Sequence, residues 1–374
     1  MIYAAAGNQE EDRMAPIPAR GVVAVTGAAG YIGGWVVRLL LDRGYRVRAC
    51  VRDPGDEAKT GFLTAMPGYA SGRLTLHGAD LDNDGCFDAI FAGCNGVAHV
   101  SHVSTYNDQD YVTRVCRHVI ESVEKSETVT RVALTSSVAA VISEMDLQEV
   151  VRRPVFYEDR YPDELNPRRT VERGQGYSMG KLVAERAFTE AAAASGRWDV
   201  ITVCPGDNVG PILSAHQQER GAWQSQIAGM LQGRYGQNGV YRPWMTVDVR
   251  DCALCHVRLL ERDGVKNGER YIAWSTDARD VEQICHDIDR LLPELNHEWA
   301  PPIDGQNDRI KAREAEFRAI WAKAELRNDR MRAATGITFR PLDESIRDCV
   351  ESLLTIAKTP VKRREAAAAE TVSA

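Results

Sequence analysis

Apolar runs separated by stretches of helical period organise the chain up to about residue 205. Gly21-Val22-Val23-Ala24-Val25 opens the series, and Tyr45 to Val51, Leu74 to Leu76, Gly96 to Val100, Arg131 to Ser136 and Asp199 to Cys204 continue it. Helical segments fall between them, among them Gly34 to Leu41 and an alanine-rich stretch from Tyr177 to Ser195 that Gly196 stops. Such alternation implies parallel strands joined by crossover helices. The fold class expected is therefore α/β, a doubly wound parallel-sheet Rossmann fold with a smaller C-terminal substrate lobe.

From Gly206 the texture changes to Gly, Pro, Gln and Trp with little period until Trp244, and Val247 to Leu260 then reads as an amphipathic helix. A charged, proline-containing stretch near 293–328 separates a helix near Val281–Leu292 from the last helix, Leu342 to Lys358. The organisation expected is a flexible tail over 1–19 and a dinucleotide-binding domain over 20–205, to which 244–275 returns. A substrate lobe would come from 206–243 and 276–358, and a flexible tail from 359–374. No internal repeat at solenoid periods is visible.

Between the first strand and its helix stands Thr26-Gly27-Ala28-Ala29-Gly30-Tyr31-Ile32-Gly33. Glycines at 27, 30 and 33 suit a strand that turns sharply into a helix, lets a pyrophosphate approach the backbone and packs closely on its neighbour. The N–H groups that open the helix then hold phosphate charge. A glycine triplet alone is weak evidence in a chain with 30 glycines. Here the strand and the helix stand on the correct sides of it.

Composition removes other classes. Apolar content of 44% and charged content of 26% are those of an ordinary globular protein. No apolar run approaches the roughly 18 residues of a membrane span, and Met1 to Arg20 lacks the plan of a secretory signal. A cytoplasmic enzyme is expected, without a membrane partner. A net charge of −7 argues against nucleic acid. The nine cysteines read as buried thiols. Cys252-Ala253-Leu254-Cys255-His256 fits a haem-attachment pattern, but it sits in an amphipathic helix without an export signal, and no metal is expected.

Tyr177-Ser178-Met179-Gly180-Lys181 carries the chemistry. A spacing of four puts phenol and ammonium on one helix face, where the ammonium would lower the Tyr177 pKa and make it an acid or base near neutral pH. Thr135-Ser136-Ser137, at a strand's carboxyl end, offers a hydroxyl to a carbonyl oxygen.

With these residues in place the chain resembles an extended short-chain dehydrogenase/reductase of the NAD-dependent epimerase/dehydratase superfamily. More narrowly, it is similar to the dihydroflavonol reductases, cinnamoyl-CoA reductases and related NADPH-dependent aldehyde and ketone reductases. Further support comes from Val51-Arg52-Asp53-Pro54, Ala79-Asp80-Leu81, Cys204-Pro205-Gly206, Val247-Asp248-Val249-Arg250-Asp251 and Gly336-Ile337-Thr338-Phe339-Arg340-Pro341-Leu342. The resemblance implies hydride transfer to a carbonyl carbon, with Tyr177 protonating the oxygen, Ser137 orienting it and Lys181 also binding the nicotinamide ribose. It places Asp80 and Leu81 beside the adenine, Val100 and Ser101 near the cofactor, and Pro205 to Asn208 along the nicotinamide. Arg52 stands next to the position where an acidic residue would bind an unmodified ribose, so NADPH/NADP+ is favoured over NADH. A small-molecule carbonyl substrate and a monomer or homodimer are expected.

The flanks depart from the named groups. Gly174-Gln175-Gly176 replaces the cinnamoyl-CoA reductase box before the tyrosine, and Ile142 stands where dihydroflavonol reductases carry an asparagine. His102, in place of a common serine, is a candidate to bond a substrate oxygen or to titrate near neutral pH. Asp207 and Asn208 replace apolar residues, and Trp223, Tyr235, Tyr241 and Trp244 are candidates to wall a pocket. Two rival functions share the scaffold: a sugar-nucleotide epimerase or dehydratase, and a non-catalytic dinucleotide-sensing regulator.

Overall fold

The computed structural model describes residues 15–142, 147–161, 176–219, 222–234, 244–275, 278–298, 315–316 and 318–365. With strands numbered along the chain, the predicted apolar runs become β1 (Val22–Thr26), β2 (Arg46–Val51), β3 (Leu74–Gly78), β4 (Gly96–His99) and β5 (Arg131–Thr135). After a short β6 (Val155–Phe156) come β7 (Asp199–Pro205), β8 (Asp207–Val209), β9 (Trp244–Asp248) and β10 (Glu269–Ala273). Seven of these form one parallel sheet in the order β10-β7-β5-β4-β1-β2-β3. β1 pairs with β2 on one side and β4 on the other, so the winding reverses there. That reversal opens a crevice at the carboxyl ends of β1 and β4, the place where such sheets bind ligands.

Apolar helix faces cover both sides. On one face α1 (Tyr31–Asp42) packs with Val249–Leu260 through Val36, Val37, Leu40, Cys252 and Val257. On the other, Gln109–Lys125 and the long helix Gly176–Ser195 bury Val112, Val115, Val119, Phe188 and Ala192. A third cluster, with Val138, Val141, Ile142, Met245 and Trp274, gathers beyond the carboxyl edge of β5, β7 and β10. The long helix ends at Gly196 with φ of 62°, a left-handed conformation that glycine adopts without strain.

Three boundaries differ from the sequence reading, and one stretch without a readable period holds helices. Ile17 is 4% exposed and its N–H donates to Leu260 O at 3.2 Å, so the chain joins the core before residue 20. The C-terminal stretch is fixed as far as Arg364: Thr359 is buried, Lys362 N–H donates to Leu231 O, and Arg364 N–H to Asn296 O, both at 2.8 Å. The stretch after Gly206 holds helices His216–Glu219 and Ala222–Leu231, the second burying Ile227, Ala228, Met230 and Leu231. The helix expected from Val247 starts at Val249, because Val247 and Asp248 close β9 and the Asp248 carboxylate caps the helix, accepting Arg250 N–H at 2.8 Å. β9 pairs with β8 and Ala278–Arg279 in a small separate sheet rather than joining the main one.

All nine cysteines are free thiols, and all but Cys86 are buried. His256, of the haem-like pattern, spends both ring nitrogens inside the protein. Nδ1–H donates to Cys252 O at 2.8 Å, and Nε2 accepts from Thr135 Oγ1 at 2.7 Å. Burial lowers its pKa to about 4, so the ring is neutral. Among the described residues no helix is long and apolar enough to cross a membrane.

Candidate active site

β1 turns at Gly27, whose φ of 67° is strained for any side chain, and a Cβ there would lie 3.0 Å from Ser101 N. Gly33 passes so close to the turn that a Cβ would stand 2.2 Å from Gly27 O. Gly30 starts α1 with no side-chain cap, and no acidic residue stands in the first turn. The first helical bond found is Gly34 N–H to Gly30 O at 2.9 Å, which leaves the N–H groups of Tyr31, Ile32 and Gly33 ahead of it. A close backbone and an uncapped helix start suit a phosphate.

Thr26 ties the turn to the neighbouring strand end. Its Oγ1 accepts Val100 N–H at 3.1 Å and Ser101 N–H at 3.2 Å. With both lone pairs engaged, its own proton goes to His99 Nδ1 at 2.9 Å. Burial first, and the Lys181 ammonium second, lower the His99 pKa to about 3, so that ring is neutral and can accept. Arg52 stands exposed past the end of β2 without an ion-pair partner among the described residues. Asp53 beside it turns a carboxylate oxygen to Gly55 N–H at 2.8 Å. Asp80 and Leu81 follow β3, half-buried, with Leu81 O accepting from His118 Nδ1 at 2.9 Å.

Tyr177 opens its helix 39% exposed, whereas Lys181, one turn on, is buried. The Lys181 Nζ lies 5.7 Å from the centre of the Tyr177 ring and donates to Thr135 O at 3.0 Å, which moors the ammonium to the end of β5. Ser137 is buried two residues farther on, its Oγ accepting Ala139 N–H at 3.1 Å. Ser136 is tied away from the site, its hydroxyl donating to the buried Glu185 carboxylate. Parallel strands thus deliver the glycine turn, Arg52, Asp80, Ser101, Ser137 and Pro205 to a single sheet edge, and the long helix adds Tyr177 and Lys181.

His102 lies beside the tyrosine, its ring 6.2 Å from that of Tyr177 and inclined by 21°. Its Nδ1–H donates to Val103 O at 2.6 Å. Burial among the aromatic rings, and then the Lys181 charge, hold its pKa below the ordinary imidazole value. The expected titration near neutral pH is therefore displaced downward, and a neutral hydrogen-bonding role fits better. Asp207 is buried and accepts Met245 N–H at 2.9 Å, within the β8–β9 pairing. Asn208 Nδ2 donates to Gly206 O at 3.0 Å, while its Oδ1 is buried with no hydrogen-bond partner among the described residues. Ile142 belongs to the third apolar cluster, and Trp223 is half-buried against the main core. Tyr235 and Tyr241 lie outside the described residues.

The sequence reading passed over Tyr106. Its ring meets Tyr177 edge-on at 4.8 Å, and Lys181 Nζ lies 5.2 Å from its centre. One signal was available: Gly180, a weak helix former placed between the tyrosine and the lysine. A Cβ at 180 would stand 2.7 Å from Tyr106 Cδ1, so glycine there admits the ring. Ser178 was also missed, and its hydroxyl donates to Ala139 O at 2.6 Å, fixing the turn after Ser137.

Comparison with known proteins adds to this geometry. Residues 23–273 match the family model described as the NAD dependent epimerase/dehydratase family. A dihydroflavonol 4-reductase from Hordeum vulgare is 33% identical over 303 residues, covering 78% of this chain and 80% of that protein. Cinnamoyl-CoA reductase CAD2 from Medicago truncatula is 30% identical over 343 residues, covering 89% and 95%. The crystal structure of Gre2 from Candida albicans in complex with NADPH matches with a TM-score of 0.72 over 90% of this chain and 99% of that one. At 20% identity, that last likeness concerns the fold.

Proposed function

Because the chain belongs to the NAD dependent epimerase/dehydratase family, we propose that it reduces the carbonyl of a small or aromatic aldehyde or ketone, with Tyr177 as general acid. On this reading it is an oxidoreductase that uses NADP(H), as Arg52 past the end of β2 favours. The cradle at Gly27 and Gly33, which a Cβ would fill, fits the dinucleotide, as does the uncapped start of α1.

One juxtaposition carries the reading: an exposed phenol with a buried ammonium beneath it, the ammonium bonded to Thr135 O at the strand end, two residues before the buried Ser137. When bound, the reduced cofactor supplies a hydride to the carbonyl carbon. Tyr177 gives its phenolic proton to the carbonyl oxygen, and the Lys181 ammonium stabilises the phenolate left behind. Ser137 holds the same oxygen by its hydroxyl, which stabilises the negative charge that develops there. In the reverse direction the phenolate accepts the proton of an alcohol. The residues after Ser137, Val138 to Ala140, are apolar and buried, so no carboxylate stands where a dehydratase on this scaffold would carry one.

The test is NADPH oxidation across aliphatic and aromatic aldehydes, ketones, acyl-CoA thioesters and dihydroflavonols. Turnover of at least one carbonyl class is expected, whereas protein that purifies loaded with NAD and is idle toward all of them would overturn the reductase reading. Cofactor choice has its own check. Arg52 is exposed and unengaged among the described residues, so its guanidinium is available to a 2′-phosphate. Arg52→Ala is expected to weaken NADPH by about tenfold, the worth of a charged hydrogen bond, and to leave NADH unchanged in fluorescence titrations. Equal losses for both cofactors would remove Arg52 from phosphate recognition.

A further inference from the structure

The glycine turn is held from behind by the segment that follows Gly210. His216 Nε2 donates to Ala29 O at 2.8 Å while its Nδ1 faces Ser214 Oγ at 2.9 Å. Gln217 is 1% exposed and uses both ends of its amide. Its Oε1 accepts Leu213 N–H at 2.8 Å, and its Nε2 donates to Ala29 O at 3.3 Å and Gly30 O at 3.2 Å. Bonds run the other way as well: Tyr31 OH donates to Gly210 O at 2.6 Å, and Trp35 Nε1 to Pro211 O at 2.9 Å. The segment is itself anchored to the last helix, since Ile212 N–H donates to Ser352 Oγ at 3.0 Å.

A peptide unit is planar, so fixing its carbonyl fixes its N–H. Gly30 C=O and Tyr31 N–H are the two ends of one unit, and Tyr31 N–H is among the donors ahead of the first helical bond. Ala29 C=O and Gly30 N–H end another, which closes the turn on Gly27 O at 2.9 Å. Rotation of either unit would bring a carbonyl oxygen toward a space meant for phosphate, exchanging partial positive charge for partial negative.

We propose that His216 and Gln217 are positioning residues for the cofactor pyrophosphate, setting the glycine-turn peptides that meet it without touching it themselves. The inference rests on the dinucleotide reading of the turn. Calorimetric titration of the full chain with two fragments separates a positioning role from a structural one. The first, 2′-AMP, carries adenine, ribose and 2′-phosphate but no pyrophosphate, and the second, 2′-phospho-ADP-ribose, carries both. His216→Ala and Gln217→Leu are each expected to weaken 2′-phospho-ADP-ribose by about tenfold and to leave 2′-AMP unchanged. Should the buried Gln217→Leu fail to fold, His216→Ala, at a half-buried site, decides alone. An equal loss for both fragments, or a loss for neither, would overturn the proposal. A wild-type protein that binds neither fragment would overturn the dinucleotide reading itself and the inference with it.

Discussion

Replacing Tyr177 by phenylalanine is expected to abolish carbonyl reduction while NADPH affinity stays near that of the unaltered protein. The substitution removes one oxygen and keeps the ring, together with its edge contact on Tyr106 at 4.8 Å and its neighbour His102 at 6.2 Å. Lys181 retains its bond to Thr135 O, so the ammonium stays in place. What is lost is the proton donor, and a positioned general acid contributes about 10²–10⁴-fold to rate. Steady-state NADPH oxidation should show a fall of that order in kcat, and a fluorescence titration should show little change in cofactor Kd. Turnover at the original rate would remove Tyr177 from the chemistry. A parallel loss of cofactor affinity would make it a binding residue instead.

Gly33→Ala should come close in severity, by a different route. Inside a helix alanine is ordinarily the better residue by roughly 1 kcal/mol. At this position the added carbon would stand 2.2 Å from Gly27 O, 2.9 Å from Gly27 C and 3.1 Å from Ala28 Cα, all of them backbone. No side chain can rotate aside, so α1 must withdraw from the turn, and overpacking of this kind costs about 1–3 kcal/mol or more. The clash outweighs the propensity. We expect a lower Tm and at least tenfold weaker NADPH binding, the second because the helix start and the turn separate. Gly61→Ala serves as the control, since the nearest atom to its added carbon is Glu57 Cγ at 3.5 Å. A Gly33→Ala protein with unaltered Tm and affinity would show that the close approach is not needed.

Strands β1, β2, β4, β5 and β7 were legible because each carries a largely buried apolar run, a signal that local residues carry unaided. The edge strand β3, with Leu74 alone buried, shows only as the short run Leu74 to Leu76. The glycine turn, Tyr177 and Lys181 were legible because backbone sterics and helix period constrain residue type at fixed spacing. The 206–243 stretch was not. Its helix Ala222–Leu231 is short, and its stability comes from burying Ile227, Met230 and Leu231 against distant elements. Nor could the start of Val249–Leu260 be read, because Asp248 serves at once as the end of a strand and the cap of a helix. His216 and Gln217 escaped for another reason: bonds from side chains to main-chain carbonyls nearly two hundred residues away leave no periodic trace in the sequence. His102 was found as a candidate, but its neutrality depends on the rings and the lysine that surround it, which only the fold assembles.

Gly180 carries a lesson for anyone who would toughen this protein. Its place in the second turn of a long, alanine-rich helix makes it an obvious target for a heat-stabilising exchange, and a scan guided by helix propensity would choose alanine there first. The carbon so added would press on Tyr106 at 2.7 Å and push that ring off the tyrosine and lysine it backs. A hardier helix would then carry a slacker acid, so thermal improvement here should begin at sites remote from residue 180.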